Sequence, residues 1–180
     1  MDKRGIYEMR HHSKPLVIKN IFTNEQRKDL IEYCQPLLLD QEAMVKSTGR
    51  FNSKFPGKQT LPLEDCLEFV WAKRIIVDTL LYKMGWFFKI NSSWINWTNG
   101  KVRDITWHRH YDVPYSAVYY IKTFPLFSNG TLFRRPIGFV KAPQNSIMVF
   151  PSNLEHTAPS SPLPFSRYTM AFDLELCYRR

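Results

Sequence analysis

From Trp86 onward the chain changes grammar, and this change limits its architecture more than any other feature. Short runs rich in β-branched and aromatic residues follow one another: Phe87–Trp97, Tyr115–Thr123, Thr131–Phe133, Ser146–Phe150 and Arg167–Leu176. Asn99-Gly100, Ser128-Asn129-Gly130 and the proline-rich stretch 159–164 punctuate them. Such spacing predicts a sandwich or barrel of short strands. The first half reads differently. Leu16–Phe22 predicts a strand. Thr23 with Gln26 predicts a reciprocal helix cap, followed by a helix to about Leu39. Residues 40–60 read as a loop or irregular hairpin. A second helix, with a broad apolar face, is expected from about Asp65 to Met84. The expectation is an α+β, mainly β chain: one domain over 1–180, with a polar tail at 1–14, a strand and helical buttress at 15–85, and the β-core at 86–180.

Composition supports one packed unit. The 180 residues are 44% hydrophobic and 15% aromatic, enough for a sizeable core. Twelve prolines against seven glycines disfavour a long helical bundle. The formal net charge of +9 favours capture of anions: a nucleic acid, an acidic protein, or a small dianion. The charge is spread along the chain, so it names no nucleic-acid site by itself. Cys34, Cys66 and Cys177 are odd in number and widely spaced. They argue against a zinc module or a disulfide framework, and for a reducing compartment. The N-terminal residues have no apolar stretch like that of a signal peptide, and no run of 18 apolar residues occurs. A cytoplasmic protein without a membrane segment is expected. His11-His12 reads as part of a surface tail.

Two segments carry metal-binding chemistry: Trp107-His108-Arg109-His110-Tyr111-Asp112, and Phe150-Pro151-Ser152-Asn153-Leu154-Glu155-His156. Residues two apart on a strand share a face. His110 and Asp112 can therefore grip one side of a metal, and His156, 46 residues after His110, can return on a neighbouring strand. Two histidines and a carboxylate form a facial set that leaves positions open on iron(II). His108 has the same parity and competes for the first place; otherwise it stands behind the ligands or faces substrate. Arg109 alternates away from His110, with a substrate-anion role as the sharper alternative. A bidentate 2-oxo acid fits the open positions, and its far carboxylate needs a cation. Arg167, 11 residues after His156, suits that need, and Thr169 should share its face. No nucleophile elbow and no glycine-rich phosphate loop is present.

His110-Tyr111-Asp112, then His156, then Arg167-Tyr168-Thr169, resembles the HxD…H…RxS/T signature of the 2-oxoglutarate/iron(II) dioxygenases. The likeness is greatest to the prolyl-4-hydroxylase-like group, particularly its small bacterial and phage-type members. Flanking runs agree: Ser116–Ile121, Asn129-Gly130-Thr131-Leu132, Ser146–Ser152 and Arg167–Phe172. The resemblance covers roughly residues 15–176. It implies a double-stranded β-helix (jelly roll) buttressed by helices. It also implies iron(II), 2-oxoglutarate and O2, and hydroxylation coupled to decarboxylation of 2-oxoglutarate to succinate and CO2. By resemblance Tyr120 joins Arg167 at the far carboxylate, and Trp97 stands where many relatives place a tyrosine or another cosubstrate contact. The substrate could be a prolyl or other protein side chain, a small molecule, or a modified base. Competing readings are a non-catalytic jelly-roll module binding an acidic or nucleic-acid partner, and a cupin-like metal dioxygenase that uses no 2-oxo acid.

Overall fold

The computed structural model describes residues 14–39, 57–59, 63, 67–98, 107–124, 129–159 and 166–179. Its strands are β1 (Leu16–Lys19), β2 (Gly57–Gln59), β3 (Trp86–Thr98), β4 (Tyr115–Lys122), β5 (Gly130–Phe133), β6 (Phe139–Lys141), β7 (Ser146–Pro151), β8 (His156–Thr157) and β9 (Arg167–Arg179). The helices are α1 (Asn24–Leu39) and α2 (Val70–Met84), the latter preceded by a 3-10 turn at Leu67–Phe69. The chain is mainly β, as its grammar predicts. All but the last residue of the expected tail at 1–14, and most of the expected loop at 40–60, lie outside the described residues. The short strand β2 emerges at the loop's end.

Two antiparallel sheets form the body. The larger runs β1-β7-β4-β9-β3-β2, and the smaller runs β6-β5-β8. Alternation divides the large sheet's residues between two cores. On one face Ile95, Ala117, Tyr119, Ile147, Val149, Met170 and Phe172 pack with helix residues Leu30, Cys34, Ala72, Ile76 and Leu80. On the other, Tyr120, Met148 and Phe150 meet Phe133 and Ala142 between the sheets. The helices therefore cover one face, which leaves the other to build a site against the small sheet.

Local chemistry fixes the joints. The predicted cap forms: Thr23 N–H donates to Gln26 Oε1 at 2.9 Å, and Gln26 N–H donates to Thr23 Oγ1 at 3.2 Å. Gly85 ends α2 in the left-handed region at φ 67°. Asn145, at φ 61°, ties β1 to the turn before β7. Its Oδ1 accepts from Phe22 N–H at 2.9 Å and from the Tyr119 hydroxyl at 3.0 Å, and its Nδ2 donates to Phe22 O at 2.7 Å. Gly130 is required by crowding: a Cβ there would lie 2.2 Å from Val140 O. Cys34 is buried in the helix-side core, and Cys177 is exposed. Among the described residues, no helix is long and apolar enough to cross a membrane.

Candidate metal centre and anion pocket

His108, His110 and His156 converge on the face between the sheets. One ring nitrogen from each lies within 4.8 Å of the others, a spacing that could hold one metal ion. Backbone pairing creates the group. His108 and His156 form an antiparallel bridge, with His108 N–H donating to His156 O at 3.1 Å and His156 N–H to His108 O at 2.9 Å. Directly opposed residues send their side chains to one face, and the two rings stand 4.3 Å apart. The bridge is isolated, and His110 N–H donates instead to Ser152 O at 3.0 Å, which holds it against the turn that leads to His156.

His156 is 5% exposed and packs edge-on against Phe150 at 4.7 Å. Burial, aided by the neighbouring His108, pushes its pKa down to about 3. The imidazole is thus neutral at ordinary pH, the form that binds metal. Its Nδ1 lies 2.8 Å from Leu154 O, which leaves Nε2 for a ligand when Nδ1 carries the proton. His110 stacks on Trp94 at 5.8 Å and 17°, and its Nδ1 lies 2.9 Å from Asp173 Oδ1.

Asp112 stands elsewhere. It is exposed, in the bend Tyr111–Pro114, and does not belong to the histidine group. Of the three residues named from spacing, His110 and His156 are brought together and His108 joins them. Arg109 faces away, as alternation requires, and pairs with Glu155 Oε2 at 3.4 Å. Glu155 also meets Arg134 at 3.4 Å, and that guanidinium lies 4.1 Å over the Trp107 ring.

The second half of the site lies on the same face of the large sheet. Arg167 is 4% exposed, donates to Gly130 O at 3.2 Å, and lies 5.5 Å from the Tyr120 ring centre. Burial lowers the Arg167 pKa, and the Tyr120 phenol opposes that shift. Burial pushes Tyr120 up to about 12, so it remains a neutral hydroxyl, 2.7 Å from Thr131 Oγ1. Thr169, 1% exposed, sits opposite both Tyr120 and Asn96 in register. Arg167, Thr169, Ala171 and Asp173 follow one another along this face of β9, because the register from Arg167 to Leu174 is unbroken on that strand. Their ends are roughly 20 Å apart along the backbone at about 3.3 Å per residue, and long side chains narrow the gap. Trp97 pairs with Tyr168 and packs into the helix-side core, on the opposite face from Arg167 and Thr169. Three residues of the site were not named from the sequence: Trp94, Asp173 and Thr131. Parity with Thr169 pointed to Asp173.

No family model matches the chain, and no curated protein matches it either. Its fold does match solved structures. The carbocyclase SnoK of nogalamycin biosynthesis, described as non-heme and α-ketoglutarate dependent, superposes with TM-score 0.70 at 12% identity, covering 99% of this chain and 87% of that one. A prolyl-4-hydroxylase from Pseudomonas putida gives 0.58 at 14%, covering 97% of both. The viral collagen prolyl hydroxylase of Paramecium bursaria Chlorella virus-1, solved with 2-oxoglutarate, gives 0.57 at 12%, covering 89% of this chain and 94% of that one. The chain therefore has the jelly-roll fold of the 2-oxoglutarate-dependent non-heme iron oxygenases.

Proposed function

We propose that the protein is an iron(II)- and 2-oxoglutarate-dependent oxygenase that hydroxylates its substrate and converts 2-oxoglutarate to succinate and CO2. The observation that carries this reading is the convergence of three imidazoles on the sheet face that also holds a buried arginine. The donor set fits iron: imidazole nitrogens suit it, and the group is open on one side, since His108 is exposed while His156 is buried. Iron with 2-oxoglutarate supplies the oxidising chemistry when bound.

The chain's own residues do the rest. The histidines fix the position of the metal. Arg167 binds the far carboxylate with its planar fork, and Tyr120, Thr131 and Thr169 line the same pocket with neutral hydroxyls. Phe133 and Phe150 keep water from the wall behind His156. The superposed structures include a carbocyclase, two prolyl hydroxylases, and HygX from Streptomyces hygroscopicus with nickel, 2-oxoglutarate and hygromycin B bound. They support two substrate classes here, a protein side chain such as prolyl, or a small molecule. Three widely spaced cysteines, with Cys177 an exposed free thiol, support a reducing, cytoplasmic setting.

The test is aerobic incubation of the purified chain with iron(II), 2-oxoglutarate and a panel of prolyl peptides and small metabolites, reading succinate. Succinate formed in proportion to iron and protein supports the reading. A chain that binds divalent metal but gains no stability from 2-oxoglutarate would instead be a metal dioxygenase of the cupin-like kind.

A further inference from the structure

The spacing of a histidine and a ligand two residues on occurs twice in this chain, as His108-x-His110 and as His110-x-Asp112. Backbone pairing distinguishes the two. His108 is the residue that bridges to His156, so the residue two further along the same face is His110. Asp112 falls one step beyond, in an exposed bend. A carboxylate nevertheless reaches the site by another route. Asp173 comes from β9, opposite Ser116 of β4, and its Oδ1 lies 2.9 Å from His110 Nδ1.

We propose that three imidazoles, His108, His110 and His156, hold the metal, and that Asp173 rather than Asp112 provides the site's carboxylate, acting through His110. Asp173 Oδ1 is buried 2.9 Å from His110 Nδ1 and forms no hydrogen bond among the described residues, so a small turn of the ring lets it accept the Nδ1 proton; Leu154 O holds the corresponding place 2.8 Å from His156 Nδ1. Each acceptor fixes the tautomer that leaves Nε2 as the ligand atom and sets the plane of the ring. Trp94 stacks on His110 and limits its rotation about the same axis. Asp173 is thus a positioning residue. In the resemblance drawn from the sequence, the place two residues after the first histidine holds an aspartate; in this chain it holds an imidazole. The inference rests on the oxygenase reading only for the choice of iron.

The experiment measures cobalt(II) binding to the full chain by equilibrium dialysis, with proton–nitrogen NMR of the histidine rings in the metal-free protein. Wild type should bind one equivalent. His108→Ala, His110→Ala and His156→Ala should each lose affinity by about 100-fold or more, and Asp112→Ala should match wild type within about twofold. Asp173→Ala should weaken binding about 10- to 100-fold and abolish the protected His110 Nδ1–H signal. Asp173→Asn, whose amide oxygen still accepts that proton, should keep the signal and recover part of the affinity. His110→Asp, which restores the commoner ligand set, should still bind metal. Loss of cobalt in Asp112→Ala with retention in His108→Ala overturns the ligand assignment and leaves the oxygenase reading standing. Unchanged affinity and NMR signal in Asp173→Ala overturn the role of Asp173 alone. Wild-type protein that binds no divalent metal overturns both this inference and the oxygenase reading.

Discussion

Arg167 is a nearly fully buried charge, and burying a charge is costly unless an anion or several dipoles meet it. Gly130 O is one such dipole, and under the proposed function the far carboxylate of 2-oxoglutarate adds the counter-charge. Arg167→Ala should therefore spare metal affinity and weaken 2-oxoglutarate about 10- to 150-fold, the value of a charged hydrogen-bonded contact of roughly 1.5–3 kcal/mol. Arg167→Lys should recover little of the loss, because an ammonium lacks the fork. Calorimetric titration with 2-oxoglutarate in the presence of manganese(II) reads both. His156 gives a second prediction at this scale. Its pKa is depressed in the folded state to about 3, against an ordinary value of 6.5. Between these values the unfolded chain binds the extra proton and the folded chain does not. The metal-free protein should be fully stable above about pH 6.5. It should lose stability as pH falls toward 3, by at most about 1.4 kcal/mol per pH unit from this group. Urea unfolding of wild type and His156→Gln across pH 4–7.5 checks this, and the variant should show the shallower slope. The residue scale is also where sequence reasoning ran short. His108, His110 and Asp112 share one parity, so alternation could not choose among them. The choice depends on which residue faces His156, a pairing between segments 48 residues apart.

Elements were legible in proportion to their length. Strands β4, β7 and β9 and both helices carry enough residues for a period to show, and the cap at Thr23 is a local motif complete in four residues. Strand β8 has two residues and β6 has three, too few to display alternation, and both are held by pairing to β5. Along β3 a register shift between Ile90 and Ser92 resets the faces that a uniform alternation would assign. Trp94 consequently meets His110 while Trp97 packs under the helices. Gly130 belongs to this scale too. It lets β5 and β6 approach closely, and its carbonyl receives Arg167. Gly130→Ala should force these strands apart, cost about 1–3 kcal/mol, and lower 2-oxoglutarate affinity in the same variant. Thermal unfolding and ligand titration on one preparation would show both losses. A stability loss alone would mean that the carbonyl's position is immaterial to the pocket.

Across the whole molecule, the large sheet serves two cores at once, one with the helices and one with the small sheet. A ligand seated between the sheets should therefore stabilise the entire fold. With manganese(II) present and 2-oxoglutarate at about 100 times its Kd, mass action adds about 2.7 kcal/mol, or roughly 5–10 °C in Tm for a chain of this size. Differential scanning fluorimetry reads the shift. A shift equally large in Arg167→Ala would assign the binding to some other site. The formal charge of +9 should speed capture of the dianion, an effect that fades as salt rises.

The Asn145 clamp joins the first strand's exit to the turn before β7, across 123 residues of sequence. Besides the side-chain bonds, Asn145 O accepts from Asn20 N–H at 2.8 Å. Amide protons in such a connection would ordinarily exchange with deuterium through local fraying. Here Asn20 and Phe22 donate to a residue anchored by Tyr119 in the main core, so their protons leave only when that core opens. Their exchange rates should follow those of the central strands, and the entry to α1 should open in the same cooperative step as the sheet that carries the site.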